Sequence, residues 1–100
     1  MEEKKSINIE LNPEVAKGSY SNLAVITHSP NEFIADFIEM LPGLPKAQVV
    51  SRVIMTPANA KRLCKALQDN IAKYENTFGE IELVGEQPII PVGLSTNTKS

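Results

Sequence analysis

Ile7, Ile9 and Leu11 alternate with Asn8 and Glu10, and that period of two predicts a half-buried strand over residues 7–11. Asn12-Pro13 ends it, since proline has no ladder donor and restricts the residue before it. Residues 13–19, with Gly18, read as a connection. From Tyr20 to His28 the centre is apolar and β-branched, which predicts a second strand before the turn signature Ser29-Pro30-Asn31. Residues 31–41 admit two readings. Ser29 and Glu32 form a capping box with Pro30 at the first helical position, and Phe33, Ile34, Phe37, Ile38 and Leu41 then share a helical face. As a strand, Phe33, Ala35 and Phe37 point one way and Ile34, Asp36 and Ile38 the other.

Pro42-Gly43-Leu44-Pro45 breaks any continuous element, and Gln48 to Met55 is β-rich and reads as another strand. Thr56 is an N-cap and Pro57 sits where its missing N–H costs nothing. Ala60, Leu63, Cys64, Leu67, Ile71, Tyr74 and Phe78 then recur at three- and four-residue steps, so a helix over 57–78 carries one apolar stripe. Gly79 can take the left-handed C-terminal cap. Lys61, Lys65, Asp69 and Lys73 follow one another at four-residue steps on the outer face. Residues 80–84 read as a short extended piece and 92–100 as a disordered end. The organisation expected is a flexible start (1–6), one domain (7–84) and an extended or disordered tail (85–100).

Composition narrows the class. A chain of 100 residues with 42% hydrophobic and 22% charged positions is ordinary for one globular domain. A net charge of −2 argues against a protein dedicated to coating nucleic acid, which relies on a basic surface to displace counterions. The charged start Met1-Glu2-Glu3-Lys4-Lys5 leads into no apolar run of signal or membrane-span length, so the cytoplasm is the expected compartment and no membrane partner is expected.

Candidate chemistry is sparse. The single histidine, His28, and the single cysteine, Cys64, are too few for a nucleophile–base pair or a His/Cys zinc site. Cys64 lies in the helical stripe and reads as a small buried hydrophobe. Glu80 and Glu82 share a face of an extended piece with nothing to form a pocket around them. No phosphate-cradling glycine motif or calcium loop occurs. No catalytic residue, metal, cofactor or small-molecule ligand is therefore expected. Two features carry functional weight. Arg52, Lys61, Arg62 and Lys65, with Lys46 upstream, form a basic cluster around a helix N-terminus that is already positive, which points to an anionic partner. A small sheet covered by one helix also leaves Leu23, Val25, Ile34 and Ile38 in need of a second surface, and such surfaces mark interfaces.

The strings Tyr20-Ser-Asn-Leu-Ala-Val-Ile-Thr-His-Ser-Pro-Asn-Glu-Phe33 with Asp36-Phe37, Ser51-Arg52-Val-Ile-Met-Thr-Pro57, Ala60-Lys61-Arg62-Leu63, Asn70-Ile-Ala-Lys-Tyr74-Glu75 and Phe78-Gly79 occur in order. Together they resemble a family of short bacterial proteins, common in Bacteroidetes, classed as a domain of unknown function. That resemblance implies a strand for Glu32 to Met40 and brings no established activity. Its members' genes, often beside those of RNA polymerase subunits, imply the transcription machinery as one partner. The order of elements is similar to the subunit of the SecB-type export chaperone, which implies apolar grooves for unfolded polypeptide. The expected fold is α+β: a four-stranded antiparallel sheet with the long helix packed on one face. The expected function is a non-catalytic, chaperone-like protein-binding module that assembles as a homodimer or higher oligomer. The alternative is an accessory protein that binds RNA polymerase or nucleic acid through its basic patch.

Overall fold

Three antiparallel strands, neighbours in chain order, form the sheet in a computed structural model that describes residues 6–43 and 45–83. A four-residue helix, α1 (Pro13–Ala16), precedes β1 (Leu23–His28), β2 (Phe33–Glu39) and β3 (Gln48–Met55), and α2 (Pro57–Phe78) follows. β1 and β2 pair from Leu23 opposite Ile38 to His28 opposite Phe33. β2 and β3 pair from Phe33 opposite Met55 to Glu39 opposite Gln48, with an irregularity at Phe37/Ile38. The strand reading of residues 31–41 is the one the chain adopts. The Ser29/Glu32 capping box closes a hairpin instead: Ser29 N–H donates to the Glu32 carbonyl at 2.9 Å and Ser29 Oγ accepts from Asn31 N–H. At the other end, Asn22 takes the place of one more ladder pair. Its amide donates to the Met40 carbonyl and accepts from Met40 N–H, both at 2.9 Å.

The fourth strand expected at residues 7–11 is absent, and Ile7, Ile9 and Leu11 are exposed. Alternation states which side of a strand would be apolar, but a strand exists only when a neighbour takes up its backbone groups. The segment expected to be a connection instead contains α1. Asn12 caps it by accepting from Glu14 N–H at 2.8 Å, and Pro13 stands in the first turn. The element order therefore departs from the four strands and helix that the SecB-type resemblance implied. Residues 80–83 of the short extended piece expected over 80–84 pair with no strand among the described residues, and residue 84 and the tail expected over 85–100 lie outside them.

The core is narrow and belongs to the middle strand. Ala35 and Ile38 on β2 and Val25 on β1 are the buried apolar residues among those described, because only β2 has a strand on each side. The helix matches its expected limits, with Thr56 Oγ accepting from Asn59 N–H at 3.1 Å; Gly79 closes it at φ 101° and ψ 167°, a positive φ with extended ψ instead of the left-handed cap expected. Its packing does not match, since α2 buries none of its 22 residues. One residue, Thr56, joins β3 to α2, where strand–helix connections usually take about 2–6 residues. A helix launched so directly has no loop with which to turn back over the sheet.

Candidate interaction surface

Directly opposed residues of antiparallel strands project to the same side, so the pairing fixes the composition of both sheet faces. One face carries Leu23, Val25 and Thr27 from β1, Ile34, Asp36 and Ile38 from β2, and Arg52 and Ile54 from β3. The other carries Ala24, Ile26 and His28, then Phe33, Ala35 and Phe37, then Ser51, Val53 and Met55. Neither is the polar, solvated face that a half-exposed antiparallel sheet usually shows. On the outer strands Ile26, Val49, Val53 and Ile54 stay open to solvent. Among the described residues β3 is also an unpaired edge, eight residues long and free of proline and lysine, the residues that commonly blunt such edges.

Among the described residues, the first face carries the sheet's one ion pair. Arg52 Nε and Nη2 donate to the two carboxylate oxygens of Asp36 at 2.6 and 2.9 Å, a two-pronged geometry set by the direct opposition of the two residues. Asp36 is 2% exposed although it lies among apolar neighbours in a sheet only one layer thick. The guanidinium hydrogen bonds hold its carboxyl below the ordinary 3.8, against the opposing effect of burial, and the charge of Arg52 acts in the same direction. The same contacts raise Arg52 above its ordinary value. Arg52 is thus committed to its own sheet and does not join the basic cluster in which the sequence placed it. Lys61, Arg62 and Lys65 remain exposed on the first turns of α2, and Lys46 is exposed before β3.

Along α2, Leu63, Leu67, Ile71, Tyr74 and Phe78 form the expected stripe, yet each is between 40% and 71% exposed. Tyr74 and Phe78 meet at a 46° tilt with 4.9 Å between ring centroids, so the stripe's C-terminal end packs against itself. Cys64, expected in the core, is an exposed thiol beside the stripe. It was misplaced for the same reason as the stripe: an apolar face identifies what must be covered, and its cover was assumed to be this chain's own sheet.

A recess of about 490 Å³ opens between α1 and the second sheet face, lined by Glu14, Val15, Gly18, Ser19, Ser21, Phe37 and Ser51. It brings one titratable group, Glu14, to its wall, which supplies no acid–base pair. His28 stacks on Phe33 at 5.4 Å at the hairpin end. Among the described residues no three His, Cys, Asp or Glu side chains are grouped to hold a metal ion. No helix among them is long and apolar enough to cross a membrane.

No curated protein and no solved structure matches the chain. A family model described as a protein of unknown function (DUF3467) matches residues 1–83.

Proposed function

From the premise that the chain belongs to the DUF3467 family, we propose that it is a non-catalytic, oligomeric module that binds other polypeptides through its sheet, in the manner of a chaperone. The observation that carries this reading is the long edge of β3, open among the described residues, beside two apolar faces. An extended polypeptide added to that edge satisfies the free N–H and C=O groups, and its alternate side chains meet apolar surface on either side. Backbone pairing is indifferent to sequence, which suits a binder of many unfolded clients. Arg52 does not spoil the edge, because Asp36 draws its charge inward.

The test is titration of a fluorescently labelled, permanently unfolded polypeptide, such as a reduced and carboxymethylated small protein, followed by anisotropy. Binding at micromolar concentrations is expected, with Val53→Lys weakening it about tenfold, equivalent to ~1.4 kcal/mol. Equal binding by wild type and the lysine variant, or none at all, would sink the reading.

A second reading, an accessory protein of the transcription machinery, draws on the exposure of Lys61, Arg62 and Lys65. Reversal of those three charges is then expected to abolish co-purification with RNA polymerase from native cells. Unchanged co-purification rejects it.

A further inference from the structure

We infer that residues 7–11 add as an antiparallel strand to the β3 edge of a second copy of this chain, in a reciprocal exchange between two copies. The inference deepens the oligomeric part of the reading above and rests on that part alone. It makes the chain's own segment the resting occupant of the edge, which any other polypeptide then has to displace.

Segment and edge are present in the same molecule and do not meet within it. Ile7, Ile9 and Leu11 alternate with Asn8 and Glu10 as a half-buried strand does, yet their exposures are 75%, 87% and 68%. β3 has β2 on one side and, among the described residues, no strand on the other. Each lacks what the other supplies: backbone partners, and an apolar side to continue. A single copy leaves both unsatisfied, so the pairing that satisfies both runs between copies.

Register follows from charge and from the irregularity of β3. Arg52 is the one charged residue of β3, and Glu10 is the one charged residue of the segment. Arg52 gives Nε and Nη2 to Asp36, while its Nη1 makes no hydrogen bond among the described residues and its side chain is 56% exposed. Glu10 opposite Arg52 brings a carboxylate to that outward side of the guanidinium. The antiparallel register then sets Ile9 opposite Val53, Ile7 opposite Met55 and Leu11 opposite Ser51, so three apolar side chains extend the second sheet face. A rim ion pair adds little affinity, but a slip by one residue would put Glu10 on that apolar face and Ile9 or Leu11 against Arg52. A parallel strand with Glu10 beside Arg52 would run residues 7 and 8 along Val49 and Val50, where β3 loses its register with β2. The antiparallel strand stays on Ser51–Met55, and Asn12-Pro13 ends it where the irregularity begins.

The area suffices because the exchange is mutual. An extended chain exposes about 1.45 Å² per dalton, so five residues of roughly 580 Da offer ~850 Å². Burial of about half of that, with an equal area of the edge beneath, gives ~800 Å² per copy in the reciprocal pair, one partner's share of a standard interface. One-way addition would bury half as much and leave an edge open to a third copy, whereas a two-fold closes after two.

Disulfide trapping in the full chain reads partner and register together. Cys64→Ser/Ile9→Cys is mixed with Cys64→Ser/Val53→Cys and gently oxidised. Directly opposed residues have Cβ atoms about 5 Å apart, so most chains are expected to link in mixed pairs. With Cys64→Ser/Ile54→Cys in place of the Val53 variant, the side chain leaves by the other face and linking is expected to fall at least tenfold. No mixed link, an equal link at position 54, or a bond confined within single chains of Cys64→Ser/Ile9→Cys/Val53→Cys would overturn the inference.

Ile9→Glu tests the assembly by a second route. Ile9 is open to solvent in the single copy, so the monomer tolerates the change and circular dichroism verifies that the fold is kept. Light scattering at about 100 µM is expected to show a dimer for the wild type and a monomer for Ile9→Glu. A monomeric wild type, a dimer indifferent to the substitution, or an open polymer would overturn the inference. Linked pairs that bind no unfolded polypeptide would leave it standing and defeat only the polypeptide-binding reading. Polypeptide binding without linked pairs would do the reverse.

Discussion

Asp36 is where a single residue matters most. A carboxylate removed from water is tolerated only with its partner, and Arg52 supplies two hydrogen bonds from the strand beside it. Its carboxyl is held below the ordinary 3.8, so the unfolded chain takes up a proton at higher pH than the folded one. The stabilisation is therefore complete above the unfolded value and is lost as pH falls through the folded value. Asp36→Asn is expected to lower Tm at pH 7 by roughly 5 °C and to flatten the loss of stability below about pH 4. Thermal melts from pH 7 to pH 2 check both. The sequence alone placed Arg52 in a basic cluster with Lys61 because it showed the charge without the pairing across strands. Asp36 opposite Arg52 follows from where β2 and β3 align, and that alignment includes an irregularity at Phe37/Ile38 that no local pattern announces.

At the scale of elements, what local chemistry determines was readable. Thr56 and Pro57 start α2, Gly79 stops it, and both limits stand as expected. Gln48–Met55 likewise stands, because β-branched density between Pro45 and Thr56 leaves little choice. Residues 31–41 could be read either way, and the resemblance led to the strand that the structure has. The helix signals at Ser29, Pro30 and Glu32 are all present, yet alternating side chains that fit between two neighbours outweigh them. Failures came where an element depends on something remote. Ile7–Leu11 alternates without a neighbour, and α1 is too short to leave a periodic trace beyond its Asn12-Pro13 cap. The cap of α2 gives a direct test. Thr56→Ala removes the acceptor for Asn59 N–H and is expected to cost about 1 kcal/mol, visible as helical ellipticity lost at lower temperature.

At the scale of the whole molecule, the described residues show more apolar surface than their layers cover. A sheet with two apolar faces and a helix that buries none of its residues leave that surface open among the described residues, and this is what the sequence hid. Periodicity shows that Leu63 through Phe78 line one side of a helix, and the economical assumption is that the chain's own sheet lies beneath. The one-residue link at Thr56 denies that, and the stripe of α2 stays open among the described residues. In the oligomer proposed above, folding and association are linked and stability depends on concentration. Tm is expected to fall by several degrees on dilution from about 100 µM to about 1 µM in the wild type. Ile9→Glu, in the middle of the exchanged segment, is expected to abolish that dependence and melt at the dilute value throughout, as calorimetry would show.

The ion pair at the centre of the sheet has a consequence beyond its strength. A sheet polar on one side chooses its alignment by hiding the other side. This sheet is apolar on both, so moving β3 along by one residue would exchange one greasy side chain for another at little loss. It would also strand Asp36 in a dry place without its guanidinium. The pair therefore works as an index mark: one charge in each of two strands makes a single alignment tolerable among several that oil alone would accept. In Asp36→Asn the mark is erased, and coexisting amide resonances from more than one alignment of β3 would be its trace.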